Sequence, residues 1–190
     1  MSYNSITGVE RNVTIVGPGA EATNRAVING SVASPAIKLT SVQTVILDGL
    51  EFTAATTSNE GINCNQVGAA LTVRNSYIDG NNGAGINSTS CTLEVDSCTI
   101  TQNTGGGVSA SGGTVTVSGS TITGSGGAGV SASGGMVTLA QDVVESNHGG
   151  GVSLTNSDFT LQNLVLDGNG TSGVMGSSLG GLSIFGSGTN

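Results

Sequence analysis

The 190-residue chain has no tryptophan, two prolines, one histidine and four Lys+Arg against 12 Asp+Glu, a net charge of −8. So few basic residues, none of them adjacent, argue against a nucleic-acid surface, which works by neutralising phosphates. No apolar run approaches the roughly 18 residues of a membrane helix, so no membrane insertion is expected. The Ala, Glu, Lys and Leu excess of a helical bundle or coiled coil is missing as well. Met1-Ser2-Tyr3-Asn4 shows neither the basic start nor the apolar core of a signal peptide. That leaves a mature form carrying an added Met, or a cytoplasmic protein.

What is present is small and polar. Gly 33, Ser 25, Thr 23 and Asn 17 account for 98 of the 190 residues. Such a load ordinarily signals disorder. The low charge, the scarcity of proline and a 36% hydrophobic fraction rich in Val, Ile and Leu oppose that reading.

The order of the residues resolves the conflict. A 22-residue repeat aligns residues 70–91, 92–113, 114–135, 136–157 and 158–178. Four apolar columns recur: Leu71/Leu93/Val115/Val137/Phe159, Val73/Val95/Val117/Leu139/Leu161, Ile78/Ile100/Ile122/Val144/Leu166 and Ile86/Val108/Val130/Val152/Val174. A glycine column, Gly85/Gly107/Gly129/Gly151/Gly173, precedes the last. Upstream, Val45, Leu47, Phe52 and Ile62 fit at offsets of 24 to 26, and Val13, Ile15, Ile28 and Ile37 fit with a larger insertion near Gly17-Pro18-Gly19. Leu182 and Ile184 begin one more partial repeat.

Inside a repeat the apolar period is two, which means strands. Three short strands per repeat, separated by Gly/Asn corners suited to left-handed backbone angles, predict an all-β chain. They predict a single parallel β-solenoid of about seven coils, regular over about 12–185, with terminal segments 1–11 and 186–190. Coils spaced about 4.8 Å apart make a rod roughly 34 Å long. The strand after the glycine column is lined by smaller residues, Ser88, Ala110 and Ala132, before Leu154.

The segment Thr92–Val108, TLEVDSCTITQNTGGGV, resembles the right-handed parallel β-helix repeat of the pectate-lyase-like superfamily. Asn81, Asn103, Asn147 and Asn169, with Ser125 between, resemble that family's asparagine ladder and are expected to bond between coils. The resemblance implies the architecture. It leaves activity open, because the superfamily spans lyases, hydrolases, epimerases, adhesins and inert surface proteins.

Catalytic groups are scarce. Glu145 and Asp167 stack in the column Thr53/Asp79/Thr101/Thr123/Glu145/Asp167, with His148 at the same corner. Paired carboxylates suit glycoside hydrolysis or calcium; the simpler reading is a solvated acidic edge. The Asp-Asp pairs and the Gly-His-Gly and Arg-x-Lys motifs of polygalacturonase-like enzymes are missing, and Arg74 stands alone. No catalytic residue, metal site or cofactor is therefore assigned. Asp48, Arg74 and Asp96 form an outward column that reads as a surface salt-bridge ladder. Thr99-x-Thr101 and Thr121-x-Thr123 give too small a flat face for ice.

Of three cysteines, Cys64 and Cys91 fall at equivalent corners of adjacent coils, so a disulfide between them is expected. Cys98 is left as a free, partly buried thiol. At the ends, Val13/Ile15 of one copy are offered to Leu182/Ile184 of the next for end-to-end stacking. The functional expectation is a non-catalytic structural element at a cell surface or outside the cell, such as a spacer or adhesin-like module. The alternative is a polysaccharide-binding or polysaccharide-cleaving β-helix.

Overall fold

The computed structural model describes residues 2–9, 11–19, 25–31, 34–53, 59–170 and 182–185. Every named element in them is a strand. The strands visit three sheets in strict rotation, here sheets A, B and C, and every pairing between named strands is parallel. Coil 1 comprises Ser2–Tyr3, Ile6–Val9 and Val13–Val16; coil 2, Ala26–Asn29, Ile37–Leu39 and Thr44–Asp48. Coil 3 comprises Leu50–Thr53, Ile62–Cys64 and Ala70–Arg74; coil 4, Tyr77–Asp79, Ala84–Thr89 and Thr92–Asp96. Coil 5 comprises Thr99–Thr101, Gly106–Ser111 and Thr114–Ser118; coil 6, Thr121–Thr123, Val130–Ser133 and Met136–Ala140. Coil 7 comprises Val143–Glu145, Val152–Thr155 and Asp158–Gln162; the incomplete coil 8, Val165–Asp167 and Leu182–Phe185.

The apolar columns are the lumen. Leu71, Val73, Ile78, Ile86 and their equivalents in coils 4 to 6 are all within 2% exposure, as are Phe52 and Leu154. Each pairs in register with the same position one coil on, as in Leu93↔Val115 and Ile100↔Ile122. Phe159 is only partly buried against this core. Ser88, Ala110 and Ala132 do line the narrow inner face of sheet B.

The corners differ from expectation in one respect. Each is turned by a left-handed residue, but the ladder asparagines are not those residues. Gly80, Gln102, Gly124, Ser146 and Gly168, one position earlier, have φ of 55–65°. The other two corners use Gly49, Asn75, Ser97, Gly119, Gln141 and Asn163, and Ser90, Gly112, Gly134 and Asn156. The backbone is reversed just before the asparagine, which leaves its side chain free to bond along the rod axis. The glycine column serves space rather than φ. A Cβ on Gly85 would stand 2.8 Å from Asn103 Nδ2 and 2.9 Å from the Gly107 carbonyl oxygen. Gly61 and Gly129 meet the amides of Asn81 and Asn147 in the same way.

Two further corrections concern the ends. The strands begin at Ser2, inside the segment expected to precede the coils: Ile6 pairs with Ile37 and Tyr3 with Ile28. Leu182 and Ile184 continue sheet B opposite Val152 and Leu154, whereas Val13 and Ile15 lie in sheet C. A stretch of 14 residues between Asp167 and Leu182 delays the chain beyond the 22-residue rhythm. The two pairs therefore lie in different sheets. Residues 186–190 lie outside the described residues.

Cys64 and Cys91 form a disulfide between coils 3 and 4 with their Cα atoms 6.3 Å apart and a separation of 27 residues. Both are at most 1% exposed. Closing a loop of that length restrains the unfolded chain by about 3–4 kcal/mol. We expect the Cys64→Ala/Cys91→Ala protein to lose about that much stability in urea. An unchanged midpoint and slope would show that the crosslink holds nothing the stacked sheets do not.

Candidate functional site

Polar side chains collect in two columns inside the corners. In the first, Asn81 donates through Nδ2 to Asn103 Oδ1 at 2.9 Å, and Asn147 donates in the same way to Asn169 at 3.0 Å. The amides also cap strand carbonyls: Asn103 Nδ2 reaches the Ile78 oxygen at 3.1 Å and Asn169 Nδ2 the Val144 oxygen at 2.7 Å. All four asparagines are buried. The amides bond to neighbouring asparagines and to strand carbonyls, so the column is a crosslink rather than a reactive group.

The second column, Ser76/Cys98/Ser120/Asp142, fills the corner between sheets C and A. The Cys98 N–H donates to Ser120 Oγ at 3.1 Å, and the Ser120 N–H to Asp142 Oδ1 at 2.9 Å. Asp142 also accepts the Ala140 N–H at 3.0 Å and is 1% exposed. Burial pushes its carboxyl above the usual range, against the pull of these donors. Cys98 is fully buried rather than partly so. Its thiol donates to the Asp96 oxygen at 3.3 Å, and burial pushes it up to about 12. A thiol so placed is unreactive at neutral pH. Sequence reasoning missed Asp142, although Ser76 and Ser120 at the same offset were a usable signal.

On the outside, Glu145 and Asp167 are register partners on sheet A. His148 does not join them. Its Nδ1 lies 3.2 Å from the Ser125 oxygen, one coil back, while Asp167 lies one coil ahead. Among the described residues, no three of His, Cys, Asp and Glu gather closely enough to hold a metal ion. On sheet C, Arg74 Nε bonds Asp48 at 3.0 Å, and Asn75 donates to the other Asp48 oxygen at 2.9 Å. The Asn75 hydrogen bond, then Arg74, holds that carboxyl below its usual value despite opposing desolvation. Asp96 instead accepts from Ser118 Oγ at 2.9 Å, so Arg74 pairs on one side.

A different group of chemically capable residues gathers on the outer face of sheet A in coils 2 to 4. Arg25 Nη1 bonds Glu51 Oε2 at 3.1 Å, and its guanidinium stands 4.3 Å over the Tyr77 ring. Beside them is Asp79, whose carboxyl is pushed up by burial and then by the charge of Glu51. Its Oδ1 is shielded and has no partner among the described residues. Burial also raises the Tyr77 hydroxyl, with Asp79 adding to the effect. Insertions in coils 2 and 3 hid this arrangement in sequence, because Glu51 and Tyr77 are 26 residues apart.

Residues 60–188 match the family described as the right-handed β-helix region. The chain belongs to the right-handed β-helix family. Comparison with curated proteins and with solved structures finds no match. Enzymes and non-enzymes both contain this domain, so the family leaves the choice to the residues.

One consequence of the β-helix corner is measurable. Asp142 has a folded pKa above its unfolded value of 3.8. Its contribution to stability is fully present below the unfolded value and is lost as pH rises through the folded one. Serine at this position can accept from Ser120 and donate to the Ala140 oxygen, as Ser120 does to Ser118. We expect Asp142→Ser to gain on wild type as pH climbs above about 4, measured by urea unfolding at several pH values. A difference independent of pH, or one that grows towards acid, would contradict the raised carboxyl.

Proposed function

We propose that this β-helix is a non-catalytic structural module, a stiff spacer or adhesin-like element at a cell surface or outside the cell. The observation that carries this reading is the use of the polar columns. Asn81, Asn103, Asn147, Asn169, Ser76, Ser120 and Asp142 are directed along the rod as crosslinks between coils. Glu145, Asp167 and His148 are not assembled around a common point. The buried disulfide fits an oxidising compartment. Incubation with neutral and acidic polysaccharides should release no new reducing ends and no unsaturated products. Turnover that Glu145→Gln or Asp79→Asn abolishes would replace this reading with an enzymatic one.

A second reading is favoured by the cluster on sheet A. Arg25, Glu51, Tyr77 and Asp79 supply a stacked cation, two carboxyls and a hydroxyl on an exposed sheet face, a set able to hold polysaccharide hydroxyls without cleaving them. On a glycan array, binding through this face would be weakened at least tenfold by Arg25→Ala and left intact by Glu145→Gln. Equal loss in both variants would place any binding elsewhere.

A further inference from the structure

We propose that the junction between coils 5 and 6 is a built-in yielding point, where the rod opens locally into two cooperative blocks. The inference concerns the rod itself and holds for a spacer and for a binding module alike.

The side-chain crosslinks are unevenly distributed. Coils 3 and 4 share the Cys64–Cys91 disulfide and the Thr72–Glu94 bond at 3.1 Å. Coils 4 and 5 share the Asn81–Asn103 bonds and the Ser118–Asp96 bond. Coils 6 and 7 share Ser120–Asp142, Ser125–Asn147, the Asn147 bond to the Ile122 oxygen and the His148 contact. Between coils 5 and 6, one side-chain bond stands among the described residues: Cys98 N–H to Ser120 Oγ.

The cause is a single residue. Ser125 replaces asparagine in the ladder, and its buried Oγ has no partner among the described residues. Its backbone N–H still donates forward to Asn147 Oδ1 at 3.0 Å, so the ladder is cut only on the side facing Asn103. The glycine column itself is unbroken here: a Cβ on Gly107 would meet the Gly129 carbonyl oxygen and the Ile122 side chain of coil 6.

Nothing else compensates at this place. The inner face of sheet B stays narrow here, with Ala110 on Ala132, where Leu154 fills the column one coil later. No charged residue occurs from position 97 to 141, so no ion pair crosses the junction. Backbone pairing continues in all three sheets. The junction is therefore closed at rest, but among the described residues it has fewer side-chain bonds to break than any other junction from coil 2 to coil 8. In a repeat array whose stability is a sum of neighbour terms, the weakest interface opens first.

Hydrogen exchange read by mass spectrometry on the intact chain tests this. Peptides covering 106–111 and 130–133 should exchange faster than those covering 84–96 and 143–155. Ser125→Asn should slow exchange at the junction about fivefold, the factor that one ordinary buried hydrogen bond supplies, and leave 84–96 unchanged. Asn147→Ser, which cuts the ladder one coil later, should move the fast-exchanging region towards coils 6 and 7. Uniform protection along the wild-type rod would overturn the proposal, with or without a folded variant. So would a folded Ser125→Asn protein whose junction exchanges as before.

Discussion

Every feature of this molecule depends on parallel stacking at one coil per strand spacing. A residue in a parallel solenoid has, as its nearest neighbours outside its own strand, the residues at the same position one coil before and one coil after. Sequence therefore acts by column rather than by segment. Branched aliphatics tolerate being stacked on their own kind and fill the lumen. Charges do not, because like charges directly opposite one another repel. This explains why only 16 of 190 side chains are charged and why most outward positions carry Thr, Ser or Asn. Glu145 on Asp167 is the exception, and it sits near the C-terminal end of the described stack, where solvent screens the pair.

The same constraint decides which polar groups can be buried. A corner carbonyl or N–H that turns inward needs a partner that repeats with the coil. Asparagine meets that need, because its amide donates to one neighbour and accepts from the other while capping strand carbonyls. Serine meets it more weakly with one oxygen, as Ser76 and Ser120 do. Asp142 accepts from two backbone N–H groups, which favours its ionised form, but burial outweighs them and raises its carboxyl. Ser125 is the position where a serine stands in an asparagine's column and its hydroxyl falls short of the preceding coil.

Columns were legible in the sequence wherever the period held. From Leu71 to Leu166 the apolar positions, the glycine column and the ladder asparagines all follow from a 22-residue offset, and the register reproduces them. Where insertions shift the offset, reading by column fails. Arg25, Glu51 and Tyr77 meet on sheet A across steps of 26 residues, and their encounter depends on how the intervening corners are accommodated. The same failure put Leu182 and Ile184 on the wrong face. The first two strands were missed for another reason. Ser2–Tyr3 and Ile6–Val9 are too short to show periodicity, and only pairing with Val27, Ile28 and Ile37 makes them strands.

The glycine column shows that identical sequence signals can have different physical causes. Glycine at corners is ordinarily explained by left-handed backbone angles, and Gly80, Gly124 and Gly168 fit that account. Gly85, Gly107 and Gly129 are not among the left-handed residues. Gly85 and Gly129 are glycine because an asparagine amide lies against the place of a Cβ, and Gly107 because the Gly129 carbonyl and the Ile122 side chain do. The column therefore belongs to the ladder as much as the asparagines do: the amide can reach along the axis only if the adjacent strand offers no side chain in its way. A glycine whose column partner is not asparagine therefore marks a coil where the crosslink has been lost. In this chain that combination falls at Gly107 and Ser125, in the middle of the stretch where charge is also missing. The cohesion of the rod is thus set by which columns are complete at each step, and one incomplete column is enough to make one step differ from the rest.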